Sequence, residues 1–108
     1  VVLVHFPSHA PKGHEQQGPR PAVVTCVPIG VRFPVLMVVP LTTQSGPWQA
    51  QNPATYPTLA AGAGNLERAS TVLLDQLRSI DATRLGAYLG TLSKRDYRTI
   101  EQGLEHMC

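Results

Sequence analysis

The chain has 108 residues, which fits one small domain with one modest core. Hydrophobic residues make up 43%, which argues against a disordered chain, and the longest apolar run, Val35 to Leu41, falls far short of the ~18 residues of a membrane span. Lys and Arg number 9 against 7 Asp and Glu, a formal net charge of +2, which excludes a histone-like protein that holds nucleic acid by bulk charge but leaves room for a local basic cluster.

In chain order, Val1–Phe6 is apolar and Val-rich and reads as a first strand. Pro7–Pro19 is rich in Pro, Gly, His and Gln and reads as a loop. Pro21 restricts Arg20 to extended backbone, which suits the approach to a second strand over Ala22–Val27. The third strand is Val35–Leu41. Gln44–Pro53 is a polar loop, Tyr56–Leu59 a short strand, and Ala60–Asn65, with two glycines, a turn. Thr71–Leu74 and Tyr88–Leu92 are the remaining strand candidates.

All 10 prolines lie at or before Pro57, so a strand-and-loop body gives way to a stretch fit for a helix. Ser93-Lys94-Arg95-Asp96 fits a capping box, in which the Ser93 hydroxyl accepts an exposed backbone N–H. Tyr97, Ile100, Leu104 and Met107 then recur on one helical face. Short strands with a closing helix predict an α+β domain, a small antiparallel barrel or sheet with helices attached.

Two cysteines, Cys26 and Cys108, are too few for a disulfide scaffold or a zinc site, and a reducing cytoplasm is the default. Cys26, in a predicted strand, is expected to be a core thiol. His5, His9 and His106 show no metal-ligand spacing. No stretch near Val1 pairs basic residues with an apolar run and a cleavage site, so no secretory leader is expected.

The most unusual segment is Gly13-His14-Glu15-Gln16-Gln17-Gly18-Pro19-Arg20-Pro21. Two glycines let a loop bend or approach a ligand closely, and between and just after them stand groups that move protons or bind phosphate. With His9 and Lys12 upstream and one acid, Glu15, the segment is the local basic cluster of the chain. A solvated polar loop would share this composition.

The run Gly13–Pro21, followed by Ala22-Val23-Val24, resembles the signature of the PemK/MazF toxin family, closest to its PemK/Kid branch. Val1–Phe6 resembles the family's first strand without the Gly-Asp that usually precedes it. Val38-Val39-Pro40-Leu41-Thr42-Thr43 resembles its third strand, and Leu74-Asp75-Gln76-Leu77-Arg78-Ser79-Ile80-Asp81 its Asp-Gln-x-Arg-Thr/Ser-Ile-Asp segment. The likeness spans nearly the whole chain, as one domain over residues 1–108.

The resemblance implies an SH3-like antiparallel β-barrel with a C-terminal helix, assembled as a homodimer. It implies sequence-selective cleavage of single-stranded RNA, usually messenger RNA, without metal or other cofactor: the 2′-hydroxyl attacks the adjacent phosphate and leaves a cyclic phosphate. It also implies an antitoxin partner whose flexible acidic tail lies over the RNA groove. Carried over residue by residue, the catalytic set is Arg20, Thr42, His14 and Asp75, and the RNA contacts are Lys12, Gln16, Thr43, Gln76 and Arg78. Arg20 can hold two phosphate oxygens at once, Thr42 brings a hydroxyl beside the phosphate, His14 titrates near neutrality, and Asp75 is the proposed base.

Leu73 departs from the branch, which carries an arginine there as the proposed acid. Either Arg20 covers the cationic and acid roles, as in the MazF branch, or activity is weakened. Each site residue also has a plainer reading: Arg20 paired with an acid, Thr42 satisfying a turn, Asp75 bonded to Arg78 or a backbone amide. Trp48 and Tyr56 flank a polar loop and either stack on bases or simply pack. Two other functions stay open, a gyrase-poisoning toxin of the same fold and an antitoxin-binding homologue with weakened catalysis.

Overall fold

The computed structural model describes residues 1–6, 18–27, 35–44 and 46–107. In chain order these form β1 (Val2–Phe6), β2 (Gly18–Cys26), β3 (Val35–Thr42), the short helix α1 (Pro47–Gln51), β4 (Thr58–Leu59), β5 (Ser70–Val72), β6 (Arg78–Asp81), β7 (Leu85–Tyr88) and the helix α2 (Lys94–Met107). Single 3-10 turns at Ala63–Asn65, Leu74–Gln76 and Ala82–Arg84 join the later elements.

The seven strands run in the order β4-β5-β3-β2-β1-β7, with β6 pairing β3 off that path. β3 is the branch point. Val35–Val38 pair with β6 and Leu41–Thr42 with β5 along one edge, while Met37–Pro40 pair with β2 along the other, all antiparallel. The expected barrel is not closed: among the described residues the path ends at β4 and β7, which do not pair with each other. β4 has 2 residues and β5 has 3, too short a ribbon to carry a closing ladder.

Side chains alternate along β2 and β3 into two cores. Val23, Val39 and Leu41 join Leu59, Val72, Leu74 and Ile100 in one, and Ala22 and Val38 join Val4 and Ile80 in the other. The central strands are covered on both faces, which is why Val35–Leu41 reads as a continuous apolar run rather than an alternating one.

Several boundaries differ from the sequence reading. β2 starts at Gly18, four residues before the expected Ala22, because Arg20 pairs with Val4 and Pro21 with Leu3. Pro19 and Pro21 occupy alternate positions, so their missing N–H groups fall on one side and positions 20 and 22 serve the β1 ladder. Cys26 is exposed, correcting the expectation of a core thiol. A register shift between Val24 and Cys26 takes it out of the alternation that buries Ala22. The last sheet strand is Leu85–Tyr88, not Tyr88–Leu92: Leu89 and Gly90 leave the ladder, and both N–H groups donate to the Val1 carbonyl, at 2.9 and 3.3 Å. β6 had no counterpart in the reading. The predicted turn at Ala60–Asn65 is present, with Gly62 at φ +94°, a conformation that suits glycine.

α2 begins as predicted. The Ser93 hydroxyl accepts the Asp96 N–H at 3.1 Å. Ile100 is fully buried, and Tyr97 and Leu104 pack beside it. Met107, the last member of the predicted face, is 43% exposed because the core ends before it. Tyr97 Oη donates to the Thr25 carbonyl at 3.0 Å and ties the helix to β2. Gly103 is buried against the Ala54 carbonyl and the Leu74 side chain, a gap that a β-carbon would close. Among the described residues no helix is long and apolar enough to cross a membrane.

Candidate active site

The end of β3 gathers the polar residues. Ala22 is opposite Pro40, with Arg20 two residues from Ala22 on β2 and Thr42 two residues from Pro40 on β3. Arg20 and Ala22 share a face of β2, and Pro40 and Thr42 share a face of β3, so the exposed guanidinium and the hydroxyl belong to the same side of the sheet. The Thr42 hydroxyl accepts the Gln44 N–H at 3.1 Å, so the turn-satisfying role is real, and it keeps its own proton for a further acceptor.

Asp75 reaches this place through the backbone. The Leu73 N–H donates to the Pro40 carbonyl at 3.0 Å, which moors the Leu74–Gln76 turn beside the end of β3. Leu74 plunges into the core at 0% exposure, and the next residue, Asp75, faces solvent. The result is an open groove of about 440 Å3 lined by Thr42, Gln44, Trp48, Tyr56, Leu73, Asp75 and Gln76.

α1 supplies the far wall. Pro47 stands in its first turn, where a missing N–H costs nothing. The Gln49 side chain donates to the Tyr56 carbonyl at 3.2 Å, and the Tyr56 N–H to the Asn52 carbonyl at 3.0 Å, so helix and following loop form one brace. The Trp48 and Tyr56 rings meet edge to face, 4.8 Å between centroids and 78° between planes. Tyr56 Oη donates to Asp75 Oδ2 at 2.7 Å, a charge-assisted bond. That bond raises the Tyr56 phenol above its ordinary pKa, with burial and the negative charge of Asp75 adding to it.

Of the predicted residues, the groove unites Thr42, Asp75 and Gln76. Arg20 belongs to the same end and face but is not part of the lining, and Thr43 is exposed beside Thr42. Arg78 is half-buried on β6, opposite Val38 and so one strand away. His14, Lys12 and Gln16 lie outside the described residues. Leu73 forms an apolar part of the wall at 6% exposure. The bond between Tyr56 and Asp75 was missed: the two are 19 residues apart, and nothing in the local sequence signals it.

A second hollow, about 650 Å3, lies between β1, β2 and the start of α2 and is lined by Val2, Val24, Tyr88, Leu92, Tyr97 and Arg98 among others. It holds none of the predicted site residues.

Comparison with known proteins agrees with the fold. The chain is 33% identical over 104 residues to Endoribonuclease EndoA of Bacillus subtilis (strain 168), covering 94% of this chain and 87% of the relative. Its fold is similar to that of the Mycobacterium tuberculosis toxin MazF-mt6, with a TM-score of 0.66, 17% identity and coverage of 98% of this chain and 94% of that one. It is equally similar to MazF from Deinococcus radiodurans, with a TM-score of 0.67, 23% identity and coverage of 98% and 91%. The signature of the PemK-like, MazF-like toxins of type II toxin–antitoxin systems matches residues 1–108, and the chain belongs to that family.

Proposed function

We propose that the chain, as one domain over residues 1–108, is the toxin of a type II toxin–antitoxin pair and a metal-independent endoribonuclease that cuts single-stranded messenger RNA in the cytoplasm. Family membership and the likeness to an endoribonuclease support the activity. The observation that supports the site is the groove at the end of β3, lined by Thr42, Asp75 and Gln76.

The chemistry follows from the residue types. Asp75 takes the 2′-hydroxyl proton while the 2′-oxygen bonds to phosphorus. Arg20 holds two phosphate oxygens, and the Thr42 hydroxyl donates to the charge that gathers there. The bond from phosphorus to the 5′-oxygen breaks, the 5′-oxygen takes a proton from His14 or Arg20, and a cyclic phosphate remains. Lys12, Gln16, Thr43, Gln76 and Arg78 contact the rest of the strand. An acidic antitoxin tail competes for the same cations. A second copy of the chain completes a homodimer, a reading supported by the apolar hollow beside the exposed Tyr88.

The test is RNA cleavage in EDTA, with product ends mapped for the native chain and for Arg20→Ala. Native cutting lost in the variant supports the proposal. A folded native chain that binds an antitoxin tail and leaves RNA whole would instead make it an interaction-only homologue, with Leu73 as the reason to look first.

A further inference from the structure

Tyr56 makes two contacts of different kinds in the groove. Its ring braces the Trp48 indole edge to face, and its hydroxyl holds one oxygen of Asp75. An edge contact supports an indole without covering both of its faces. Trp48 is half-buried and lines the groove, so it offers a flat apolar surface beside a carboxylate. Single-stranded RNA is read by stacking its splayed bases on such surfaces.

We propose that Tyr56 is a positioning residue that couples base stacking on Trp48 to proton acceptance by Asp75. One nucleobase lies on the indole, and the phenol fixes the carboxylate through Oδ2 so that Oδ1 meets the 2′-hydroxyl of that same nucleotide. The proposal rests on the ribonuclease reading and names the nucleotide whose 2′-oxygen attacks. The step balances as before: the 2′-hydroxyl proton goes to Asp75, the 2′-oxygen–phosphorus bond forms, and the phosphorus–5′-oxygen bond breaks with a proton supplied to the leaving oxygen. The backbone brace from Gln49 and Asn52 holds Tyr56 itself, so both partners are fixed by one side chain.

The sequence has a single tryptophan, so intrinsic emission reports Trp48 alone. The probe is an oligoribonucleotide spanning a site the native chain cuts, and the same oligonucleotide with one 2′-deoxy nucleotide at that site, which binds without being cut. Binding of the deoxy probe should change Trp48 emission. Tyr56→Phe keeps the ring and loses the hydroxyl, so it should bind the deoxy probe as the native chain does while its single-turnover cleavage falls roughly 10- to 100-fold. Asp75→Asn should slow cleavage too, and the two changes together should cost less than their product, since they break one bond. Trp48→Leu should weaken probe binding roughly 10-fold. Native-rate cutting by Tyr56→Phe would overturn the proposal, as would RNA that is cut while Trp48 emission stays unchanged, and both results leave the ribonuclease reading standing. A native chain that neither binds nor cuts RNA overturns that reading and this one with it.

Discussion

Leu74 and Asp75 are neighbours in one 3-10 turn and live in different worlds. Leu74 is fully buried under α2 beside Ile100, while Asp75 stands exposed in the groove with Tyr56 as its donor. The apolar side is made of contacts that fill space, and the polar side of bonds that aim atoms. The contrast teaches that the packing holds the groove in place while the groove residues contribute little to holding the packing. Changes on the two sides should therefore separate activity from stability.

The largest effect is expected on the polar side. Arg20→Ala should lower RNA cleavage by ~10³-fold, the scale of losing a preorganised charge from a transition state. Because Arg20 is exposed at a strand end, its denaturation midpoint should stay close to native. Cleavage rates and urea midpoints measured on the same preparation test the separation, and a variant that loses both equally would break it.

Next comes the apolar side. Ile100→Ala removes a fully buried side chain from the larger core and should cost about 2–5 kcal/mol of stability. The fraction that stays folded should still cut RNA at the native rate per folded molecule, because Ile100 belongs to the core and is not part of the groove lining. A folded variant with poor cleavage would show that packing under α2 sets the position of Asp75 more finely than the contrast allows.

The same contrast explains what the sequence made legible. Val35–Leu41 announced itself because both its faces are covered, and Ser93 because a cap is a local arrangement of neighbouring residues. β6 stayed hidden because Ile80 is the sole apolar side chain in Arg78–Asp81, and its strand character comes from lying against β3. The start of β2 was hidden by Pro19 and Pro21, which read as loop until β1 pairs with the residues between and beyond them. In the groove, Thr42 and Asp75 were reached through resemblance, and Leu73 stood out as a departure from the family pattern. The bond from Tyr56 joins residues that only the fold brings together, and no spacing rule points to it.

A smaller effect is expected at the start of α2. Ser93→Ala leaves the Asp96 N–H without its side-chain acceptor and should cost about 1 kcal/mol. Ser93→Asp should restore most of it, because a carboxylate accepts the same bond and suits the positive end of the helix. Thermal midpoints of the three proteins decide whether the cap or the packed face of Tyr97 and Ile100 dominates this helix.

The smallest predicted effect lies on the solvent side of the sheet and depends on pH. Asp81 Oδ1 accepts both the Thr83 N–H and the Thr83 hydroxyl, each at 2.9 Å. The backbone bond and then the hydroxyl bond hold its pKa below the ordinary carboxylate value of about 4, with the charge of Arg84 adding and burial opposing. A carboxylate depressed in the folded state adds stability that is present above its unfolded pKa and is lost as pH falls through the folded one. Native and Asp81→Ala chains should therefore differ in denaturation midpoint at pH 7 and converge well below pH 4. Exposure keeps the gap small, since water competes for the same oxygen. No gap at either pH would mean that Ala82–Arg84 is held by its backbone alone, and the polar contacts at this end of β6 would then be as dispensable to the fold as those of the groove.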